Sequence, residues 1–124
     1  MITEDYVSFE TAKLLKEKGF NEIKCNTCYK WNGNFCNNRR SMSGIDNEIC
    51  YQAPTLQMAM KWLKEEKGVV VIPVLSSILD NDKFLWDVKI VVAKTSDTYS
   101  QGWVYEKQEA ACEAGVKYCL ENLI

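Results

Sequence analysis

Residues 84–93 place Phe84, Trp86, Val88, Ile90 and Val92 on one side, with Asp87 and Lys89 on the other. A period of two specifies a β-strand with one buried face, so the rest of the chain must cover that face. Burying those five side chains contributes about 1.5–3 kcal/mol each before conformational entropy is subtracted. Just upstream, Val69-Val70-Val71-Ile72 is β-branched throughout and ends at Pro73. A proline removes a ladder donor, so this strand belongs at a sheet edge or carries a bulge there. Asp80-Asn81-Asp82 between the two strands has turn composition.

Three helices supply the cover. Ser8 is an N-cap for a helix over about 8–18, with Phe9, Ala12 and Leu15 on one face. Gly19 stops it, and Phe20 falls where a Schellman motif sets a contact back to Leu15. Leu56, Ala59, Met60 and Leu63 follow the core-facing stripe of a second helix, about 55–67, capped by Thr55 and ended by Gly68. Met58 and Trp62 widen its apolar face, so it is covered on more than one side. A third helix, about 106–122, buries Cys112, Val116, Cys119, Leu120 and Leu123 and pairs Glu113 with Lys117 on its exposed side. A polar loop at 94–101 leads into it through a short strand, Trp103-Val104-Tyr105.

Between the first two helices, Asn32-Gly33-Asn34 separates two aromatic-bearing runs and reads as a hairpin, with a returning strand near Ile49-Cys50-Tyr51. The order α-β-β-α-β-β-(β)-α gives an α+β domain, three helices packed on an antiparallel sheet. The 124 residues fit one domain, 1–124.

The most unusual composition lies at residues 23–45. Lys24, Lys30, Arg39 and Arg40 stand there with no acid, a local +4 in a chain of net −2. The whole molecule is too acidic for general attraction to nucleic acid or anionic lipid, so only this window offers that chemistry. The start of the chain is acidic with no apolar h-region, and the longest apolar run, Val69 to Leu75, falls far short of the roughly 20 residues of a membrane helix. A cytoplasmic protein away from the membrane is expected, with its six cysteines reduced.

Cys25, Cys28, Cys36 and Cys50 offer the one metal reading, a four-thiolate zinc site built on Cys25-x2-Cys28. The later intervals lack the second CxxC of a zinc ribbon, so thiols in or beside strands are expected, with no metal and no cofactor. The same CxxC lacks the helix N-terminus that activates a redox pair. With no histidine and with glycines scattered singly, the chain has no histidine-based nucleophile and no phosphate-cradling loop. It reads as a non-enzyme with no catalytic residues.

Segments 6–15 (Tyr6-Val7-Ser8-Phe9-Glu10-Thr11-Ala12-Lys13-Leu14-Leu15), 53–63 (Ala53-Pro54-Thr55 through Trp62-Leu63) and 109–120 (Glu109-Ala110-Ala111 through Cys119-Leu120) form a recurring set. They resemble small uncharacterised proteins of bacterial prophages and integrated mobile elements of gut anaerobes. The resemblance covers the three helices and implies a mobile-element origin. It carries no activity or site residues to this chain.

The expectation is a small non-enzymatic binding protein that contacts a protein partner through the 24–51 hairpin, with Lys30, Trp31, Arg39 and Arg40 as contact residues. A nucleic-acid-binding accessory protein using the same basic hairpin, with or without a four-cysteine zinc, is the alternative. The chain is expected to be a monomer, or a homodimer if the edge near Pro73 is unprotected.

Overall fold

The computed structural model describes residues 5–21, 27–30, 32–36, 50–79, 83–100 and 104–124. The first helix, α1, runs Phe9–Glu17, and the Ser8 hydroxyl accepts the Thr11 N–H at its start. At its end Gly19, at φ 96°, donates to the Lys16 carbonyl and Phe20 donates to Leu15. Those are the two bonds of a Schellman motif, which glycine enters without a side-chain clash. Phe20 and Leu15 are both buried.

A small antiparallel sheet follows, β1 (Cys28–Lys30), β2 (Phe35–Cys36) and β3 (Cys50–Gln52), in the order β2-β1-β3. The Asn-Gly signal holds. Gly33 adopts φ 88° and donates to the Lys30 carbonyl, while Lys30 donates to Asn34. The Phe9 ring lies 3.5 Å from where a Gly33 Cβ would stand. Helix α2, Leu56–Trp62, is capped by the Thr55 hydroxyl, which accepts from Met58. Its last turn opens into a π-helix, Leu63–Lys67, which Gly68 closes by donating to the Leu63 carbonyl.

The second sheet is larger: β4 (Val69–Ile78), β5 (Phe84–Val92) and β6 (Asp97–Ser100), antiparallel in the order β4-β5-β6. Helix α3, Gln108–Tyr118, and a π-turn, Cys119–Leu123, finish the chain. The α+β class is therefore as expected and the element order roughly so, with three strands where the order placed two between α1 and α2, and the strands divide into two sheets. The third strand of the large sheet lies at 97–100, inside the stretch expected to be a polar loop. Ser96 N–H bonds back to Val92, and the chain returns alongside β5, with Asp97 to Ser100 set opposite Val92 to Lys89. An edge strand can be polar, which is why composition hid it. Of the expected strand at 103–105, Tyr105 makes an isolated bridge to Trp86, and Trp103 lies outside the described residues.

One core cluster joins Val7, Ala12 and Leu15 to Leu56, Ala59 and Leu63, to Val69, Val71, Val88 and Ile90, and to Val116, Cys119 and Leu120. Gly115 brings α3 onto the sheet so closely that a Cβ there would lie 2.7 Å from Val88 and 2.8 Å from Val71. The alternating face of β5 is covered only in part. Val88 and Ile90 are fully buried, Trp86 and Val92 half-buried, and Phe84 is 50% exposed.

The expected Glu113–Lys117 surface pair is not formed. The Glu113 carboxylate instead crosses to α1, where Oε1 accepts the Ser8 N–H at 3.0 Å and the Thr11 hydroxyl at 2.6 Å. Lys117 pairs with Glu10 at 2.8 Å. Both partners come from a helix more than 100 positions away in sequence, so helical spacing alone could not show them.

Candidate binding surface

Strand register builds a row of rings on the small sheet. Tyr29 on the central strand lies between Phe35 on β2 and Tyr51 on β3. Cross-strand neighbours of this kind interact directly. Phe9, the first residue of α1, meets Tyr29 and Tyr51, each at 5.6 Å between centroids. Tyr6, just before the helix, meets Phe35 in a tilted contact, 5.1 Å between centroids. The inner rings are half-buried, whereas Tyr6 and Phe35 are 42% and 40% exposed. The Tyr29 hydroxyl donates to the Val7 carbonyl at 2.7 Å. Burial, and then the nearby Glu113 carboxylate, push its ionisation above the usual phenol range.

Cations frame the row. Lys13 Nζ stands 4.9 Å from the Phe9 ring centre, and Lys16 Nζ 5.1 Å from that of Tyr51. An ammonium over an aromatic face is attracted by the ring quadrupole, and each such pair contributes about 0.5–1 kcal/mol at exposed sites. Lys30, one of the expected contact residues, ends β1 half-buried on the same hairpin. Trp31, Arg39 and Arg40 lie outside the described residues. The sheet and α1 thus gather five rings and two lysines, while Lys30 follows Tyr29 on β1 and so projects from the other face of the sheet. Phe9 read as core. Tyr29, Phe35 and Tyr51 become a row through the register of β1 with β2 and β3: the hairpin signal announces the strands but not which residues stand opposite one another.

Of the four cysteines weighed for zinc, Cys28 is buried on β1, with Cys36 and Gln52 opposite it in register; Cys50 stands opposite Lys30, and Cys25 lies outside the described residues. Among the described residues, no group of three or more His, Cys, Asp or Glu side chains converges. Cys112 and Cys119 sit on the buried face of α3. Burial raises the Cys112 thiol, and it pushes Cys119 up to about 12.

An open cleft of about 350 Å³ lies between α2 and α3, lined by residues that include Asp5, Met60, Pro73, Glu109 and Cys112. Its one thiol is the desolvated Cys112, whose raised ionisation disfavours the nucleophilic thiolate. Among the described residues, no helix is long and apolar enough to cross a membrane. No family model matches this chain, and no curated protein or solved structure matches it either.

Proposed function

We propose that the protein is a small non-enzymatic binding or accessory protein that engages a partner through the 24–51 hairpin and the aromatic row beside it. One observation carries the reading. Tyr6 and Phe35, their rings in tilted contact, present exposed ring surface at the end of a continuous aromatic cluster beside Lys13 and Lys16. Aromatic rings on a rigid scaffold give large contact area at low entropic cost, which is the usual composition of binding hot spots. The surrounding lysines favour an acidic partner surface with an apolar anchor. An origin in a phage or mobile element rests on the three-helix resemblance alone.

The test is a pull-down from native host cells with the wild-type chain, Tyr6→Ser/Phe35→Ser and Arg39→Ala/Arg40→Ala. The reading requires a protein retained by wild type and lost from both double variants. Retention by both variants would count against this surface.

The placing of lysine ammoniums over rings also supports a second reading, a single-stranded nucleic-acid platform on which bases stack while lysines meet phosphates. Fluorescence anisotropy with random single-stranded DNA and RNA separates the two. Absence of binding at ~50 mM salt, where phosphate contacts are strongest, removes this reading.

A further inference from the structure

Among the described residues, one long strand edge is left unpaired and uncharged. β4 is ten residues long and forms one edge of the larger sheet, and among the described residues no strand pairs with its outer side. The opposite edge strand, β6, has four residues and carries Asp97. Sheet edges are normally kept from pairing by shortness, charge, proline or a bulge. Residues 69–79 contain no charged side chain at all. They hold one proline, Pro73, and one irregularity, between Leu75 and Ser77.

The hydrogen bonds show which backbone groups face outward. Trp86 exchanges both of its backbone bonds with Tyr105, on the side of β5 away from β4. Its partner across the ladder, Leu75, must therefore turn its own N–H and C=O outward. By alternation Pro73, Val71 and Val69 do the same. The missing Pro73 donor thus costs the β4–β5 ladder nothing, and the outer edge keeps its remaining donors and acceptors. Along this edge Ile72, Val74, Leu75 and Ile78 are 39–59% exposed, and Phe84 on β5 is 50% exposed.

We propose that β4 pairs antiparallel with β4 of a second copy of this chain about a two-fold axis. A six-stranded sheet then runs through the two protomers. An antiparallel strand edge is its own complement, because donors and acceptors on one copy face acceptors and donors on the other. The uncharged strand adds no like-charge repulsion to self-pairing and offers no charge by which to select a foreign partner. Pro73 excludes the register that sets it against itself, since both donors of that pair would be missing. This contact lies on a different sheet from the aromatic row and does not depend on it.

Sedimentation equilibrium of the full chain from ~1 to ~100 μM tests the proposal, with Ile72→Lys and Val74→Lys as exposed-site variants and thermal melting as the check on folding. The expected result is a concentration-dependent wild-type dimer. Either lysine, placed on both copies at the shared edge, should raise the dimer dissociation constant at least about tenfold, with secondary structure kept. A wild-type chain that stays monomeric over the whole range overturns the proposal. So does a dimer that neither lysine weakens.

Discussion

Glu113 on α3 completes the N-terminal cap of α1, its Oε1 accepting both the Ser8 N–H and the Thr11 hydroxyl. In a capping box within one helix, a glutamate at the third helical position bonds back to the N-cap N–H. Here Thr11 fills that position and the carboxylate comes from another helix, which ties the two ends of the chain together. The same contact fixes the start of α1, where Phe9 joins the aromatic row.

Removing the carboxylate should therefore be costly for a single exchange. Glu113→Ala loses a cap worth about 0.5–2 kcal/mol. It also takes the acceptor from the fully buried Thr11 hydroxyl, leaving it only the bond with the Ser8 hydroxyl, a further cost of up to about 1–3 kcal/mol. Melting should fall by roughly 5–15 °C for a domain of this size. Glu113→Gln keeps an acceptor and should lose less. Thermal unfolding followed by circular dichroism checks both, and equal melting of Glu113→Ala and wild type would refute the cap.

Gly115→Ala pits helix propensity against space. Alanine stabilises a helix interior by up to about 1 kcal/mol over glycine. Its methyl would meet Val88 and Val71 at under 3 Å, and overpacking of that kind costs about 1–3 kcal/mol. The predicted balance is a net loss of stability. Because the clash is with named side chains, Val88→Ala combined with Gly115→Ala should cost less than the sum of the two single changes. A denaturant double-mutant cycle reads this directly.

The Glu10–Lys117 pair should leave a mark on both limbs of a pH–stability profile. The hydrogen bond and charge of Lys117 hold the Glu10 carboxyl below its ordinary 4.5. The hydrogen bond and charge of Glu10 raise the Lys117 ammonium above 10.5. The depressed carboxylate stabilises the fold above pH 4.5 and loses that contribution as pH falls through its folded value. The raised ammonium stabilises below 10.5 and loses it as pH climbs through its folded value. Melting of wild type minus Lys117→Met should be a small, salt-screened difference, flat between those pH values and shrinking beyond each. A difference that grows in acid contradicts the pairing.

Cys112 and Cys119 should resist a thiol reagent at pH 8 in the native protein, because burial holds both thiols above their ordinary range. Mass spectrometry after brief native labelling should find both unmodified, and labelling in denaturant should modify both. Rapid native modification of Cys119 would show that the end of α3 is not packed as described.

Helix ends and faces were legible in the sequence because their causes are local. Ser8 with Thr11, Gly19 with Phe20, and Leu56 with Ala59 and Leu63 lie within one or two turns of each other. The β5 strand was equally plain, but how much of its face is covered was not, since that depends on which distant elements pack against it. The split into two sheets and the strand at Thr98-Tyr99 depend on long-range pairing. The aromatic row was missed for the same reason. Tyr29 and Tyr51 are neighbours only across a strand pair, and Tyr6 meets Phe35 only after α1 has docked. Of the basic window, Lys30 falls on the described hairpin, while Trp31, Arg39 and Arg40 lie outside the described residues.

The central claim is that the ring pair Tyr6–Phe35 marks the contact surface. Photo-crosslinking in native host cells tests it most directly, with a photoreactive phenylalanine analogue placed at Phe35 and, as a control on the other sheet, at Thr98. A discrete adduct from position 35, absent from position 98 and lost when Tyr6 is also changed to Ser, is the result expected. No adduct from position 35, or the same adduct from both positions, would contradict the assignment.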